Sequence, residues 1–318
     1  MRARQPIEQL LADEQTDPEL RQKLQTLQQA RAFATANLLL PENDSYSSYV
    51  ETGRTAVTWN VVAAGEFSLS PLTWCFPVAG CVSYRGYFDK MDAEHYAATL
   101  KRKHYDVSVG GATAYSTLGW FDDPVLDTML RGGDTRYVGT LFHELAHQVL
   151  YVKDDSNFNE AFATFVERIG VRAWLASRQE SERIAAYDAS QQRVEDFVHL
   201  LRQSRDSLQS LYEQELPAAE MRQAKQRVFE DLRSRYQSLK QSWGGFTGYD
   251  NWFRRELNNA RLVAVSTYRR NVPAFQAMYK QVDQDMAAFY ELAREVADLP
   301  FAERQQRLED YLSEASGD

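Results

Sequence analysis

Two histidines that lie four residues apart, with a glutamate between them, are the residues of this chain best suited to chemistry. They are His143 and His147, and the glutamate is Glu144. Side chains four positions apart on a helix project from the same face, so both imidazoles can bind a single zinc ion. Glu144 would then lie beside the metal, where it can take a proton from a water on the zinc. This spacing predicts a zinc site with a general base next to it.

A third ligand is expected from the next predicted helix. There Glu160, Thr164 and Glu167 form one polar stripe at positions i, i+4 and i+7. Two antiparallel helices packed face to face would bring this stripe opposite the histidines. We predict Glu160 as the third ligand, with Glu167 orienting a ligand histidine through its far ring nitrogen and Thr164 in the same surroundings. The separation along the chain also allows Glu167 to be the ligand. Three protein ligands and one open position are typical of a catalytic zinc site.

The residues around Glu160 resemble the Asn-Glu-x-x-Ala helix of the gluzincin metallopeptidases. Nearly the whole chain resembles a family of predicted zinc aminopeptidases found in proteobacteria. The blocks that carry this resemblance are 74–88, 114–124, the two zinc helices, 257–262, 267–268 and 272–275. The resemblance implies His143, His147 and Glu160 as ligands of one Zn²⁺ per chain, and Glu144 as the catalytic base.

The chain departs from the well-known zinc aminopeptidases at one point. Those enzymes carry a Gly-x-Met-Glu-Asn strand whose glutamate holds the free amine of the substrate, and this chain has no such motif. The equivalent stretch, 107–123, offers Asp122 and Asp123 as substrate-binding candidates. The resemblance implies a zinc peptidase, with aminopeptidase favoured over endopeptidase. The alternative from another class is a non-catalytic envelope binding protein that zinc stabilises.

The tetrahedral intermediate of peptide hydrolysis needs a second hydrogen-bond donor, which is often a tyrosine from outside the zinc helices. Tyr268 is the predicted donor because it lies near a polar cluster, and Tyr249 and Tyr115 are the alternatives. Tyr115 and Asn259 are further candidates for substrate binding, although Asn259 is also suited to a structural role.

Composition limits the partners. The chain has 318 residues and a net charge of −9, and no basic run is long enough to follow nucleic-acid phosphates. A peptide or protein substrate is the expected partner.

Cys75 and Cys81 flank a short loop and would form a disulfide in an oxidising compartment, or stay as free thiols in cytosol. Relatives carry a lipoprotein signal ahead of the region where this sequence starts, so we expect a periplasmic protein that a lipid tethers to the membrane.

The elements that position these residues indicate a mostly helical α+β fold. A helix is predicted over 6–39, with Thr16 or Asp17 as a cap before Pro18 at the first helical position. Short strands are predicted between 49 and 87, and the zinc helices over 135–151 and 157–178. Residues 179–243 read as a long antiparallel helical hairpin that turns near Pro217. We predict a gluzincin-like catalytic domain, 1–178 and 244–318, with a small β-sheet and with 179–243 as an inserted hairpin.

Overall fold

The computed structural model describes residues 4–76, 80–114, 117, 120–266 and 271–316, which form a mostly helical α+β fold with small sheets. The helices are α1 (Ile7–Ala12), α2 (Pro18–Leu38), α3 (Lys90–Lys101), α4 (Asp134–Val149), α5 (Ser156–Ser177), α6 (Ser181–Tyr212), α7 (Ala218–Ser242), α8 (Asp250–Arg254), α9 (Asn259–Ser266), α10 (Val272–Gln281), α11 (Met286–Ala297) and α12 (Phe301–Ser316). The strands are β1 (Gln5–Pro6), β2 (Ser48–Val50), β3 (Thr58–Gly65), β4 (Trp74–Phe76), β5 (Gly80–Val82), β6 (Arg85–Tyr87), β7 (Tyr105–Ala112) and β8 (Val125–Leu126).

The chain divides into two compact units. The first comprises Met1–Val57, Ala112–Ile184 and Arg269–Asp318, and the second comprises Thr58–Gly111 and Ala185–Tyr268. The predicted zinc residues belong to the first unit. Residues 185–243 of the predicted hairpin fall in the second unit together with the strands of 58–111. The status of the hairpin as an insertion into a catalytic domain stays a prediction.

Aromatic rings hold the helices of the first unit together. Phe162 of α5 stacks on Phe289 of α11 with ring centroids 5.9 Å apart, and it meets Phe275 of α10 edge-on at 5.7 Å. Gly170 of α5 lets α4 and α5 pack closely, because a Cβ there would lie 2.8 Å from the ring of Phe142 in α4. A sheet of order β1–β2–β8 completes this unit.

The prediction of one helix over 6–39 is wrong in its continuity. The structure has α1 and α2 with a break over 13–17. Asp17 ends the break as the N-cap of α2, since its side chain accepts a hydrogen bond from the backbone N–H of Leu20. Pro18 follows at the first helical position, where its missing N–H has no cost. The predicted cap was thus present in the sequence, but it starts a second helix.

The second unit combines a sheet of order β6–β3–β7 with two long helices. Two hydrogen bonds connect α7 to α6. Trp243, the residue that follows α7, donates through Nε1 to Asp196 of α6 at 2.9 Å, and Arg235 of α7 donates to Gln203 of α6. Residue numbers rise along one helix as they fall along the other, so the two helices are antiparallel, as predicted. The β4–β5 hairpin of this unit is closed by a disulfide between Cys75 and Cys81.

None of the described helices has the length and apolar character that crossing a lipid bilayer requires.

Candidate metal centre

Helix α4 presents the two histidines on the side opposite its apolar face. Leu141, Phe142 and Leu145 are fully buried in the first unit. His143 and His147 project from another stripe of the same helix, with ring centroids 4.8 Å apart. Helical spacing alone places them together, as the sequence predicted.

Helix α5 brings Glu160 against both imidazoles. Oε2 of Glu160 lies 3.4 Å from His143 Nε2, and Oε1 of Glu160 lies 3.7 Å from His147 Nε2. The two Nε2 atoms are 3.2 Å apart. The three side chains offer donor atoms that all lie within 4.8 Å of one another. They form a group that could hold a metal ion.

The spacing of these atoms fits a small tetrahedral cation. Zinc ligands at bond lengths of about 2.0–2.2 Å lie about 3.4 Å from each other in a tetrahedral site, and the observed separations run from 3.2 to 3.7 Å. Two imidazoles and one carboxylate are also ligands that zinc favours. The Nε2 atoms face each other across this space, and in the absence of a cation only a proton could relieve their lone-pair repulsion.

Glu167 contacts the outer side of the same cluster. Its Oε2 lies 3.2 Å from His143 Nδ1, the ring nitrogen that faces away from Glu160. Such a contact fixes the tautomer and the orientation of a ligand imidazole. By contrast, the Nδ1 atom of His147 is buried and has no hydrogen-bond partner within the described ranges. Glu167 therefore orients one of the two histidines.

A glycine makes room for Glu167. Gly139 lies one helical turn before His143, and a Cβ built on it would be 3.0 Å from Oε1 and 3.2 Å from Cγ of Glu167. Any larger residue would have to displace the carboxylate that holds His143. Gly139 was not among the predicted site residues, although its four-residue step before His143 puts it on the same helix face.

The pKa values of the two histidines are shifted in opposite directions. Burial lowers the pKa of His143, but the carboxylates of Glu160 and Glu167 outweigh burial and raise it well above the ordinary value of 6.5. Burial and the positive charge of His143 lower the pKa of His147 to about 4. His147 is therefore neutral at physiological pH, which is the form that binds a metal.

Glu144 is a carboxyl group poised between its two charge states. Burial raises its pKa to about 7, with the charge of His143 opposing the rise and the carboxylates of Glu160 and Asp123 adding to it. No hydrogen bond or ion pair to its carboxylate occurs among the residues that the structure describes. A free carboxyl group of this pKa can accept and return a proton near neutral pH.

The connector between α4 and α5 is fixed by Asn159. This side chain is 2% exposed, accepts a hydrogen bond from the N–H of Val152 at 2.8 Å and donates to its carbonyl at 2.7 Å. The amide thus pairs with the connector as a neighbouring strand would. These two hydrogen bonds give a structural reason for the asparagine that precedes Glu160.

The other predicted residues of the first unit have different surroundings. Thr164 is buried on α5 between the two glutamates, and Asp122 is exposed. Asp123 is buried and accepts hydrogen bonds from the N–H and hydroxyl of Thr117 at 2.7 and 3.1 Å. Since its charge affects Glu144, Asp123 lies near the centre.

Of the remaining predicted residues, two lie outside the described ranges and two belong to the second unit. Tyr115 and Tyr268 lie outside the described residues. Tyr249 belongs to the second unit, where its ring stacks on Phe197 with centroids 4.2 Å apart. Asn259 is fully buried in the same unit and donates to the carbonyls of 65, 66 and 68. These bonds connect two segments of the second unit.

Comparison with known proteins identifies one relationship. A family model described as "putative aminopeptidase" matches residues 1–308, nearly the whole chain. No curated protein and no solved structure matches.

Proposed function

The chain belongs to the putative aminopeptidase family, and we propose that it hydrolyses peptide bonds at a zinc ion held by His143, His147 and Glu160. The observation that carries this proposal is the convergence of two Nε2 atoms and a carboxylate beside a glutamate that has no competing partner among the described residues. A structural metal site would have no need of that free carboxyl group.

The donor set favours zinc over the harder divalent cations. Imidazole nitrogens suit zinc, whereas magnesium and calcium prefer oxygen ligands. Three protein ligands leave one coordination position for water or substrate, as in catalytic sites. When bound, zinc supplies Lewis-acid polarisation of the carbonyl and lowers the pKa of water.

Glu144 is the general base and acid of the proposed reaction. It takes the proton of the attacking water and then returns it to the amine that leaves when the peptide bond breaks. A pKa of about 7 suits both steps, because the group is then neither too weak a base nor too weak an acid. Glu167 supports the chemistry indirectly by holding His143 in its ligand orientation.

The family description favours cleavage at the N-terminus of a peptide over cleavage within it. An aminopeptidase needs a group that binds the free amine, and a carboxylate is the side chain that does so most strongly. Asp123, buried near Glu144, is the candidate supported by position. Asp122, which is exposed, stays the second candidate.

The proposal is tested by turnover of one peptide with a free and with an acetylated N-terminus, before and after zinc removal. We expect turnover to stop after chelation, to return with zinc and not with magnesium, and to require the free amine. Equal turnover of the acetylated peptide would make the protein an endopeptidase. Stable zinc binding without turnover of any peptide in a broad library would favour a non-catalytic, zinc-stabilised protein.

We further propose that the native protein resides in an oxidising compartment such as the periplasm, tethered there by a lipid. The disulfide between Cys75 and Cys81 supports an oxidising compartment, since such bonds rarely persist in cytosol. Thiol alkylation of protein taken directly from its native cells should find neither cysteine free. Fractionation of the same cells tests the lipid tether.

A further inference from the structure

Tyr151 stands beside the metal centre with its hydroxyl available. Its ring centroid lies 6.4 Å from that of His147, at an interplanar angle of 75°. The side chain is 40% exposed, and its hydroxyl makes no hydrogen bond within the ranges that the structure describes. A ligand bound at the metal centre can therefore reach the hydroxyl of Tyr151.

The backbone on both sides of Tyr151 is anchored. Before it, the N–H of Leu150 donates to the carbonyl of Ala146 at 3.2 Å, as the cap of α4. After it, Val152 is held through both its N–H and its carbonyl by the buried amide of Asn159. Asn159 adjoins Glu160, so one residue fixes Tyr151 relative to a predicted ligand. Tyr151 thus lies on a positioned connector and not on a loose loop.

The side chain of Tyr151 lies within the electrostatic reach of Glu160. Burial raises the pKa of Tyr151, and the negative charges of Glu160 and Asp154 add to the rise. Even an unperturbed phenol, with a pKa of about 10, carries its proton at neutral pH. The group is therefore a neutral donor next to a centre whose reaction makes a negatively charged oxygen.

Resting on the proposed peptidase function, we propose that Tyr151 is a further catalytic residue whose phenol donates a hydrogen bond to the carbonyl oxygen of the scissile peptide bond. The bond strengthens as that oxygen becomes negatively charged in the tetrahedral intermediate. Charge-assisted hydrogen bonds are about twice as strong as neutral ones. The phenol therefore stabilises the transition state more than it stabilises the bound substrate.

Tyr151→Phe is the direct test, because it removes the hydroxyl and keeps the ring against His147. We expect kcat to fall about 100-fold, in the range known for the loss of one oxyanion donor. The affinity of the zinc-loaded protein for a phosphinic pseudo-dipeptide, measured by calorimetry, should fall by a similar factor. Zinc content and the unfolding temperature should stay at the parent values. Tyr279→Phe is the control, since Tyr279 is a half-buried tyrosine of the same unit whose ring packs on Phe165.

The outcomes separate this proposal from the function on which it rests. Parent-like kcat and inhibitor affinity in Tyr151→Phe, with a loss only in Tyr151→Leu, would reduce Tyr151 to a packing residue and overturn the proposal. A loss confined to Tyr268→Phe would assign the donor role to Tyr268 instead. A zinc-loaded parent that neither cleaves peptides nor binds the inhibitor would overturn the peptidase function itself, and this assignment with it.

Discussion

Gly139 decides how closely Glu167 can approach His143. In Gly139→Ala the new methyl group would meet the carboxylate at 3.0 Å, so Glu167 must move away from His143 Nδ1. Loss of such an outer contact costs about 10–100-fold in metal affinity, and we expect a value near the lower end because Glu167 can shift. Alanine also favours the helix by up to about 1 kcal/mol over glycine. Zinc affinity should therefore fall while stability without metal holds or rises.

Competition with a chelator of known affinity measures the first effect, and urea unfolding of the metal-free protein measures the second. Gly133→Ala is the matched control. It lies at the start of the same helix, and a Cβ there meets no atom within 4 Å. Equal zinc affinity in the parent and in Gly139→Ala would show that Glu167 does not hold the ligand histidine.

At the scale of elements, the start of α5 depends on a buried ion pair. Asp155 caps α5 by accepting from the N–H of Phe158, and it also accepts from Arg304 of α12 at 2.8 Å. The two side chains are 3% and 7% exposed. The same guanidinium donates to the carbonyls of Ala297 and Leu299. One arginine thus connects the end of α11 and the start of α12 to the helix that carries Glu160.

Arg304→Met should destabilise the protein by about 3–5 kcal/mol, because it leaves Asp155 buried without its partner. Arg294→Met is the control, since Arg294 pairs with Glu291 on the exposed face of α11 at 2.6 Å. Exposed pairs of this kind contribute up to about 1 kcal/mol. Urea unfolding of both variants in the metal-free state checks the difference. Similar small losses in the two would mean that Asp155 finds another partner.

For the whole molecule, the metal site should contribute to the stability of the first unit, because its ligands join α4 to α5. A ligand that binds only the folded state stabilises it by about 4 kcal/mol at a thousandfold excess over its dissociation constant. Chelation should therefore lower the unfolding temperature of the parent and leave Glu160→Ala almost unchanged. Calorimetry measures the unfolding temperature of both proteins with and without chelator. An equal decrease in the two would place the metal elsewhere.

The sequence predicted those parts of the molecule that local geometry dictates. The spacing of His143 and His147 requires only a helix, and the polar stripe of α5 follows from the same period. The cap before Pro18 was recognised in the sequence, yet the helix was predicted to extend on both sides of it. The two hydrogen bonds between Asn159 and Val152 and the position of Tyr151 were not predictable from the sequence. Each depends on how the connector between α4 and α5 packs against the two helices.

Gly139 occupies an intermediate position between these cases. Its spacing from His143 was visible in the sequence, but its purpose appears only when the carboxylate of Glu167 is seen against it. The boundary of the two compact units likewise depends on contacts between segments far apart in sequence. Long-range packing therefore accounts for what the periodic pattern of the sequence could not supply.

The most direct test of the central claim compares zinc content and peptide turnover in the parent and in Glu144→Gln. The amide has nearly the same shape as the carboxyl group but cannot accept the proton of the attacking water. We expect about one zinc ion per chain in both proteins, as a catalytic site holds, and turnover in the parent alone. Turnover in Glu144→Gln equal to that of the parent, or a parent that binds no zinc, would contradict it.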